Sequence, residues 1–341
     1  MDLVSPELRT RMLDSRRSWL VTGAAGFIGS NLVEALLDCG QDVVGLDNFS
    51  TGYRSNLEDA EAGGTRRPGH GSFRFVEGDI RDRNTCADAV RGVDHVLHHA
   101  ALGSVPMSID DPIASHEVNL TGFINLLDAA RQAGVTRFIY AASSAVYGDA
   151  DRLPNIEDQS PDPLSPYAAT KLANEIYAAV YARSFCFRAT GLRYFNIFGP
   201  RQDPNGAYSA VIPRWIAAMI SDSPITIYGN GETTRDFCFI ANVVQANFLA
   251  AIAPDEVQGQ VFNIALGHKT SLLELFEIIK DALGKHQIQY ALPPSFDGFR
   301  PGDILHSEAD VSKAKTVIAY DPPYSVADGI AAAIPWYLSH H

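Results

Sequence analysis

The chain has 341 residues and a formal net charge of −13, which allows about two domains of roughly 150 residues each. Its 46% hydrophobic and 20% charged residues are typical of a globular protein with a sizeable core, and exclude a disordered chain or a small disulfide-stapled scaffold. The acidic balance excludes a broad basic surface for nucleic acid or anionic lipid. No apolar run has the length of a membrane span.

The cysteines are scattered along the chain. Cys39, Cys86, Cys186 and Cys238 form no CxxC pair and no cluster with histidine, so they match neither a disulfide framework nor a zinc site. Residues 1–17 mix acidic and basic side chains with apolar ones, unlike a signal peptide. These features predict a cytoplasmic protein that needs no metal ion.

Short β-type runs alternate with longer segments of helical periodicity from Trp19 to Asn196. The predicted strands are 19–22, 42–46, 73–76, 95–98, 137–140 and 190–194, and the predicted helices between them are 27–37, 113–133 and 166–182. Such alternation predicts an α/β fold with a parallel sheet covered on both faces, that is, a Rossmann-type doubly wound domain.

The texture of the sequence changes after Phe198, where glycine and proline interrupt the pattern. Helical stretches are predicted at 209–220, 242–252, 271–283 and 326–337. We predict a Rossmann-type domain over 18–198 to which 238–265 returns, and a smaller mixed α/β domain formed by 199–237 and 266–341. The glycine-rich stretch 63–71 is predicted to be an exposed loop.

A glycine-rich turn follows the first predicted strand. Gly23, Gly26 and Gly29 allow a tight turn and a close approach of the backbone to a pyrophosphate, whose charge the following helix N-terminus favours. Asp47 ends the second strand, where a carboxylate can bind the adenosine ribose and repel a 2′-phosphate. This pattern favours NAD over NADP. Arg54 is the neighbour that would suit NADP, although an arginine there is more often a solvated surface residue.

A candidate catalytic group follows the fifth strand. Ser165 and Pro166 are typical of the start of a helix, so Tyr167 and Lys171 are i and i+4 on one helix face. A phenol with an ordinary pKa of about 10 is a poor base at neutral pH, and a nearby ammonium favours its phenolate. Ser143, at the carboxyl end of a parallel strand, can bond the same reacting oxygen or can cap the strand end.

These residues together resemble the extended short-chain dehydrogenase/reductase family, of the nucleotide-sugar epimerase type, over about residues 18–338. The resemblance rests on the glycines, Asp47, Gly78-Asp79-Ile80, His98-His99-Ala100-Ala101, Asn119, Ser143, Tyr167 and Lys171. It implies a catalytic set of Ser143, Tyr167 and Lys171. It also implies NAD held by Gly23, Gly26, Phe27, Ile28, Gly29, Asp47, Asn48, Asp79, Ile80, Ala100, Ala101, Asn119, Tyr167 and Lys171.

Within that family the chain resembles the bacterial UDP-N-acetylglucosamine 4-epimerases. This implies a UDP-sugar whose diphosphate is bound by Asn196, Arg235 and Arg300, because an arginine fork suits phosphate oxygens. Small residues would leave room for an N-acetyl group as a 4-keto sugar turns over. The predicted substrate-binding residues are Gly103, Ser104, Ser143, Ser144, Asn196, Ala210, Val211, Arg235, Arg300, Asp303 and Ser307.

Several alternatives stay open. Ser144 and Ala145 stand where 4,6-dehydratases have an acidic pair, which disfavours elimination of water. UDP-glucuronate or N-acetylhexosaminuronate 4-epimerases and decarboxylases keep the Ser, Tyr and Lys, and a NAD-sensing protein without turnover would need only the glycines. No cation is expected beside Tyr147, which is predicted to pack or to line the substrate rather than to act as a base. The resemblance implies a homodimer through 113–133 and 166–182, although the chain itself could cover these helices.

Overall fold

The computed structural model describes residues 2–149, 152–204, 209–299 and 304–340, and a parallel sheet lies at its centre. The strands are β1 (Ser18–Thr22), β2 (Asp42–Asp47), β3 (Phe73–Glu77), β4 (His95–His98), β5 (Arg137–Ser143), β6 (Ala189–Tyr194), β7 (Ile197–Phe198), β8 (Thr226–Tyr228), β9 (Thr234–Arg235), β10 (Cys238–Phe239), β11 (Val261–Ile264), β12 (Thr270–Ser271) and β13 (Ser295–Asp297). Seven of them form the main sheet in the order β11-β6-β5-β4-β1-β2-β3, all paired in parallel. The predicted doubly wound α/β fold is confirmed.

Helices cover both faces of this sheet. They are α1 (Pro6–Leu13), α2 (Phe27–Asp38), α3 (Arg54–Gly64), α4 (Arg83–Ala89), α5 (Val105–Asp110), α6 (Pro112–His116), α7 (Phe123–Gln132), α8 (Pro166–Phe185), α9 (Val211–Ile220), α10 (Ile240–Ile252), α11 (Leu272–Gly284), α12 (Ser312–Ile318) and α13 (Val326–Ser339). A π-helical segment, Glu117–Gly122, joins α6 to α7, and 3-10 turns span Ser144–Tyr147 and Asp255–Val257.

The central strands of the sheet are apolar on both faces because helices cover them, whereas the edge strand β3 is partly exposed. Val21 and Leu97 belong to one apolar cluster, together with residues of α2 and α10. Leu20 and Val96 point the other way and belong to a second cluster, with residues of α4 and α7. Successive strand residues face opposite sides, so continuous apolar runs are what a doubly covered parallel sheet requires.

The structure includes α3, α4, α5 and α12, which are not predicted, and it departs from the predicted elements in three further places. Helix α1 lies ahead of the predicted strands and is not predicted. Gly63 and Gly64, expected in an exposed loop, end α3 and are buried. Helix α2 packs so closely against them that a Cβ at either position would collide with Glu34 or Leu37. The predicted helix 113–133 is divided by the π-helical segment.

The later part of the chain adds short two-stranded sheets, β7 with β10, β8 with β13 and β9 with β12. They accompany α9, α11, α12 and α13, whereas β11 lies beside β6 in the main sheet. The boundaries proposed for the two domains stay a prediction.

Candidate active site

The carboxyl ends of five neighbouring strands meet at one edge of the sheet. Thr22, Asp47, His98, Ser143 and Tyr194 are the last residues of β1, β2, β4, β5 and β6. Between β4 and β1 the chain changes the direction in which it adds strands. Such a switch point opens a crevice in which α/β proteins bind ligands.

The glycine-rich turn between β1 and α2 has no room for a side chain at Gly23 or Gly29. Gly23 has a left-handed φ of +69°, and a Cβ there would lie 2.8 Å from the backbone of His99 and Ala100. A Cβ at Gly29 would overlap the Gly23 carbonyl. Gly26, the N-cap of α2, brings no side-chain acceptor to the first amides of the helix, those of Phe27, Ile28 and Gly29. The turn therefore offers amides and a helix dipole to a phosphate group.

Asp47 fastens the second strand to this turn. Its Oδ2 accepts the Ala25 amide at 2.9 Å and its Oδ1 accepts the Phe49 amide at 2.8 Å. Burial raises the pKa of Asp47, and these amides oppose the shift. Arg54 lies 4.6 Å from the Phe49 ring centroid and pairs with Glu77 at 3.3 Å. The cation that would suit a 2′-phosphate is thus engaged elsewhere, and the residues present fit NAD.

Two further predicted cofactor residues lie beside Asp47. The Asn48 amide donates to Asp79 Oδ2 at 2.9 Å, and Arg81 donates to the same carboxylate at 2.7 Å. This guanidinium lowers the pKa of Asp79 to about 2, so the carboxylate is ionised near neutral pH. Ile80 is buried, and its side chain fills the space that a Cβ at Gly122 would need.

The side chain of Asn119 hydrogen-bonds the backbone of Leu102. Its Oδ1 accepts the Leu102 amide at 2.8 Å and its Nδ2 donates to the Leu102 carbonyl at 3.0 Å. The π-helical segment carries Asn119, and such segments are often found at functional sites. Asn119 thereby fixes the chain just after Ala100 and Ala101. Contact of these residues with NAD stays a prediction.

The predicted catalytic residues lie together at the end of β5. Ser165 caps α8 and Pro166 begins it, as predicted. Ser143 lies close enough to the Tyr167 phenol to lower its pKa, and Lys171 Nζ lies 5.9 Å from the Tyr167 ring centroid. Lys171 Nζ also donates to the Ala141 carbonyl of β5 at 2.9 Å. This contact ties the lysine to the sheet.

Burial controls the acid–base behaviour of this group. It raises the pKa of Tyr167, an effect that the neighbouring Ser143 opposes, and it lowers the pKa of Lys171 to about 8. The effect expected of Lys171 on the phenol is not among the causes of the Tyr167 shift. In the chain by itself the phenol is therefore neutral at pH 7, and a further positive charge in the crevice would be needed to favour the phenolate.

Two neutral histidines, His98 and His99, lie near Lys171. His98 Nδ1 is 2.8 Å from Thr22 Oγ1, and His99 Nε2 is 2.9 Å from Tyr194 Oη. Burial, with the charge of Lys171, lowers the pKa of both, that of His99 to about 3. The histidines thus carry hydrogen bonds and add no charge beside the lysine.

The predicted diphosphate residues come from two neighbouring segments. Asn196 follows β6, and its carbonyl accepts the Cys238 amide. The Arg235 guanidinium donates to the Thr234 carbonyl at 2.9 Å. The Ser307 amide donates to that same carbonyl at 3.1 Å, which brings Ser307 beside Arg235. Arg300 and Asp303, also predicted here, lie outside the described residues.

Asp236 organises this end of the site, a role that the sequence analysis does not predict. Its buried carboxylate accepts the amides of Leu266 at 2.9 Å, Gly267 at 3.0 Å and Ala309 at 3.2 Å. Burial raises its pKa to about 7. The signal in the sequence is an acid directly between Arg235 and an apolar run.

The remaining predicted substrate residues occupy the starts of short elements. Ser104 caps α5 by accepting the Met107 amide at 3.2 Å, Ser144 begins a 3-10 turn, and Ala210 and Val211 begin α9. A Cβ at Gly103 would meet no heavy atom within 4 Å among the described residues. Gly103 therefore borders open space.

Tyr147 packs rather than facing an open site, and the statement that no cation lies beside it is wrong. Its buried hydroxyl donates to Asn263 Oδ1 at 2.7 Å and accepts from Arg193 Nη1 at 2.8 Å. Burial raises its pKa to about 12. Arg193 lies on β6, far along the chain, so local spacing could not reveal the contact.

The described residues include no cluster of three or more His, Cys, Asp or Glu side chains that could hold a metal ion. The helices among them are all too short or too polar to cross a membrane.

A Rossmann-type sheet, a glycine-rich phosphate turn and a Ser-Tyr-Lys group at the carboxyl end of β5 define a dinucleotide-dependent enzyme. The chain belongs to the NAD dependent epimerase/dehydratase family, whose model matches residues 19–265. Its cofactor is NAD, and the family resemblance and the fold are confirmed.

Relatives with known names match almost the whole chain. A UDP-glucose 4-epimerase of Mycolicibacterium smegmatis is 38% identical over 320 residues, 93% of this chain and 97% of the relative. The solved UDP-N-acetylglucosamine 4-epimerase of Methanobrevibacter ruminantium M1, in complex with UDP-N-acetylmuramic acid, is 35% identical with a TM-score of 0.86, over 96% of this chain and 100% of that one. The UDP-glucuronic acid 4-epimerase of Bacillus cereus, in complex with UDP-glucuronic acid and NAD, is 32% identical with a TM-score of 0.82, over 95% and 100%.

Proposed function

We propose that this enzyme is a UDP-sugar 4-epimerase that interconverts UDP-N-acetylglucosamine and UDP-N-acetylgalactosamine, and also accepts UDP-glucose and UDP-galactose. The observation that carries the proposal is the group of Ser143, Tyr167 and Lys171 at the same edge of the sheet as the cofactor turn. The three named relatives all carry the name of a UDP-sugar 4-epimerase, which supports the reaction type.

The choice of an N-acetylated sugar rests on space. Gly103 borders an open region, and Ser307 is a small residue next to Arg235. One relative of high structural similarity is named for UDP-N-acetylglucosamine. The uronate epimerase of Bacillus cereus supports UDP-glucuronate as the second candidate, and a uronate decarboxylase and a NAD-sensing protein without turnover remain weaker alternatives.

The chemistry divides between the cofactor and the chain. NAD, when bound, supplies the oxidant for C4 and later its reductant. Tyr167, as the phenolate that the positive nicotinamide ring of bound NAD would favour, takes the proton of the sugar 4-hydroxyl and afterwards returns it, while Ser143 hydrogen-bonds the same oxygen. Lys171 supplies positive charge near the phenol.

The nucleotide must stay bound while the sugar turns. Asn196 and Arg235, with Arg300 outside the described residues, hold the diphosphate in our proposal, since an arginine fork stays charged and bonds two phosphate oxygens. The sugar ring is then free to present its other face before the proton returns. Release of the intermediate is prevented because the diphosphate stays fixed.

We further propose a homodimer. Ile113 on α6 and Ile176 on α8 are 67% and 56% exposed, and Ile109, Tyr177 and Val180 are exposed near them. A group of exposed apolar side chains on neighbouring helices favours an interface. Analytical ultracentrifugation should give a dimer that Ile176→Glu dissociates, and a monomeric wild-type protein would contradict this.

The experiment that tests the activity is proton NMR of the anomeric region. Purified protein is incubated with UDP-N-acetylglucosamine, UDP-glucose or UDP-glucuronate without added cofactor. We expect UDP-N-acetylgalactosamine to form fastest. Conversion of UDP-glucuronate alone would favour the second candidate, and bound NAD with no conversion of any sugar would favour the sensor.

A further inference from the structure

A buried guanidinium behind the catalytic residues joins three parts of the chain. Arg193, on β6, is 4% exposed. Its Nε and Nη2 donate to the two carboxylate oxygens of Glu175 at 2.9 and 2.7 Å. Its Nη1 donates to Tyr147 Oη at 2.8 Å and to the Glu157 carbonyl at 3.3 Å. The chemistry proposed above makes no use of this side chain.

The partners of Arg193 belong to the elements that carry the catalytic residues. Glu175 is four residues beyond Lys171 on α8, so the two share a helix face one turn apart. Tyr147 ends the 3-10 turn that follows Ser143. Arg193 itself lies beside Ala142 in the sheet, one residue before Ser143. One side chain thus links the helix of Tyr167 to the strand end of Ser143.

The geometry of these contacts restricts rotation. A two-pronged pair between a planar guanidinium and a carboxylate fixes angle as well as distance, which a lysine could not do. The Arg193 guanidinium also lies 4.8 Å from the Tyr147 ring centroid, and Asn263 holds the Tyr147 hydroxyl from the other side. A buried ion pair is often no more stabilising than apolar residues of similar volume, so orientation is the better reason for this one.

We infer that Arg193 is a positioning residue, which fixes the rotation of α8 against the end of β5 and thereby the placement of Tyr167 relative to Ser143. The inference rests on the proposed function for its effect on turnover. Its effect on the environment of Tyr167 does not depend on which sugar is the substrate.

The test replaces the whole pair by apolar residues. Glu175→Leu with Arg193→Met leaves no unpaired buried charge, so we expect the double variant to keep its melting temperature and its bound NAD. We expect kcat to fall on the order of 10²-fold, the loss that a misplacement of about 1 Å can cause, with KM for the UDP-sugar little changed. Arg137→Met is the matched control, since Arg137 lies at the other end of β5 and pairs with Asp255; its kcat should equal that of the wild type.

A second measurement needs no turnover. In protein labelled with ¹³C at the tyrosine ζ carbon, the Tyr167 signal is assigned as the one missing in Tyr167→Phe. We expect this signal to shift in the double variant and to stay in place in Arg137→Met. An unshifted Tyr167 signal would overturn the inference whatever kcat does, whereas a wild-type protein that converts no UDP-sugar would overturn the proposed function and leave this result standing.

A milder variant covers the case in which the double variant does not fold. Tyr147→Phe keeps the ion pair and removes the hydroxyl that connects it to the turn after Ser143. We expect a smaller loss of kcat, about tenfold, and a shifted Tyr167 signal. A Tyr147→Phe protein with wild-type kcat and an unshifted signal would contradict the inference.

Discussion

Removal of the Tyr167 hydroxyl should separate catalysis from binding. The side chain is half-buried, and Ser143 lies close enough to its hydroxyl to lower the pKa of Tyr167. In Tyr167→Phe the Ser143 oxygen still accepts the Ala145 amide at 3.2 Å, so the loss of stability should be at most that of one hydrogen bond, about 0.5–1.5 kcal/mol. Loss of a general base lowers the rate by roughly 10² to 10⁴, which is about 2.7–5.4 kcal/mol of barrier.

The assay measures turnover, UDP affinity and bound NAD on the same preparation. We expect UDP affinity to stay near the wild-type value, because Asn196 and Arg235 lie on other segments. Near-normal epimerisation by Tyr167→Phe would refute the assignment of the base. Loss of UDP binding would show instead that Tyr167 belongs to the binding site.

Three further variants test the cofactor site, the sugar pocket and the buried lysine. Asp47→Ala should release NAD more readily on dialysis while the protein stays folded, because the variant loses two hydrogen bonds from backbone amides at the ligand edge. The control variant Glu77→Ala, on the next strand, should retain NAD. Equal retention of NAD in both variants would show that Asp47 does not belong to the cofactor site. Ser307→Tyr should suppress turnover of UDP-N-acetylglucosamine and spare that of UDP-glucose, because the larger side chain would take the space of the N-acetyl group; Ser307→Ala is the control. An equal fall in turnover of both sugars would contradict the idea that the size of residue 307 selects the sugar. Lys171→Met should unfold at a higher denaturant concentration than the wild type at pH 7 when both proteins are free of NAD. Burial lowers the pKa of Lys171 from 10.5 to about 8, so the unfolded chain binds the lysine proton more tightly than the folded chain does. Burial of the charged lysine therefore destabilises the wild type by about 3 kcal/mol below pH 8. That difference should shrink as the pH rises from 8 towards 10.5, and a constant difference would show that the charge of Lys171 is not the cause.

Much of the sheet could be predicted because its signals are local. Continuous apolar runs and the glycines at Gly23, Gly26 and Gly29 stand next to one another in the sequence, and the i and i+4 spacing of Tyr167 and Lys171 defines one helix face. The carboxyl ends of parallel strands share an edge, so Asp47 and Ser143 could be assigned to one crevice before the fold was known.

The remaining features depend on partners that are distant in the sequence. Tyr147 meets Arg193 only after β5 and β6 pair, and the buried Gly63 and Gly64 are explained by the approach of α2. Asn119 lies in a π-helical segment that no periodicity indicates, and its amide serves the Leu102 backbone. The carboxylate of Asp236 likewise accepts hydrogen bonds from backbone amides of two segments that are distant in the sequence, those of Leu266 and Ala309.

The central claim is that a hydrogen leaves C4 of the sugar and returns to C4 within one active site. The direct measurement uses UDP-N-acetylglucosamine deuterated at C4, incubated in ordinary water without added cofactor and followed by NMR and mass spectrometry. We predict UDP-N-acetylgalactosamine that keeps its deuterium at C4. Product in which hydrogen from water has replaced that deuterium, or a strict requirement for stoichiometric added NAD, would contradict the account.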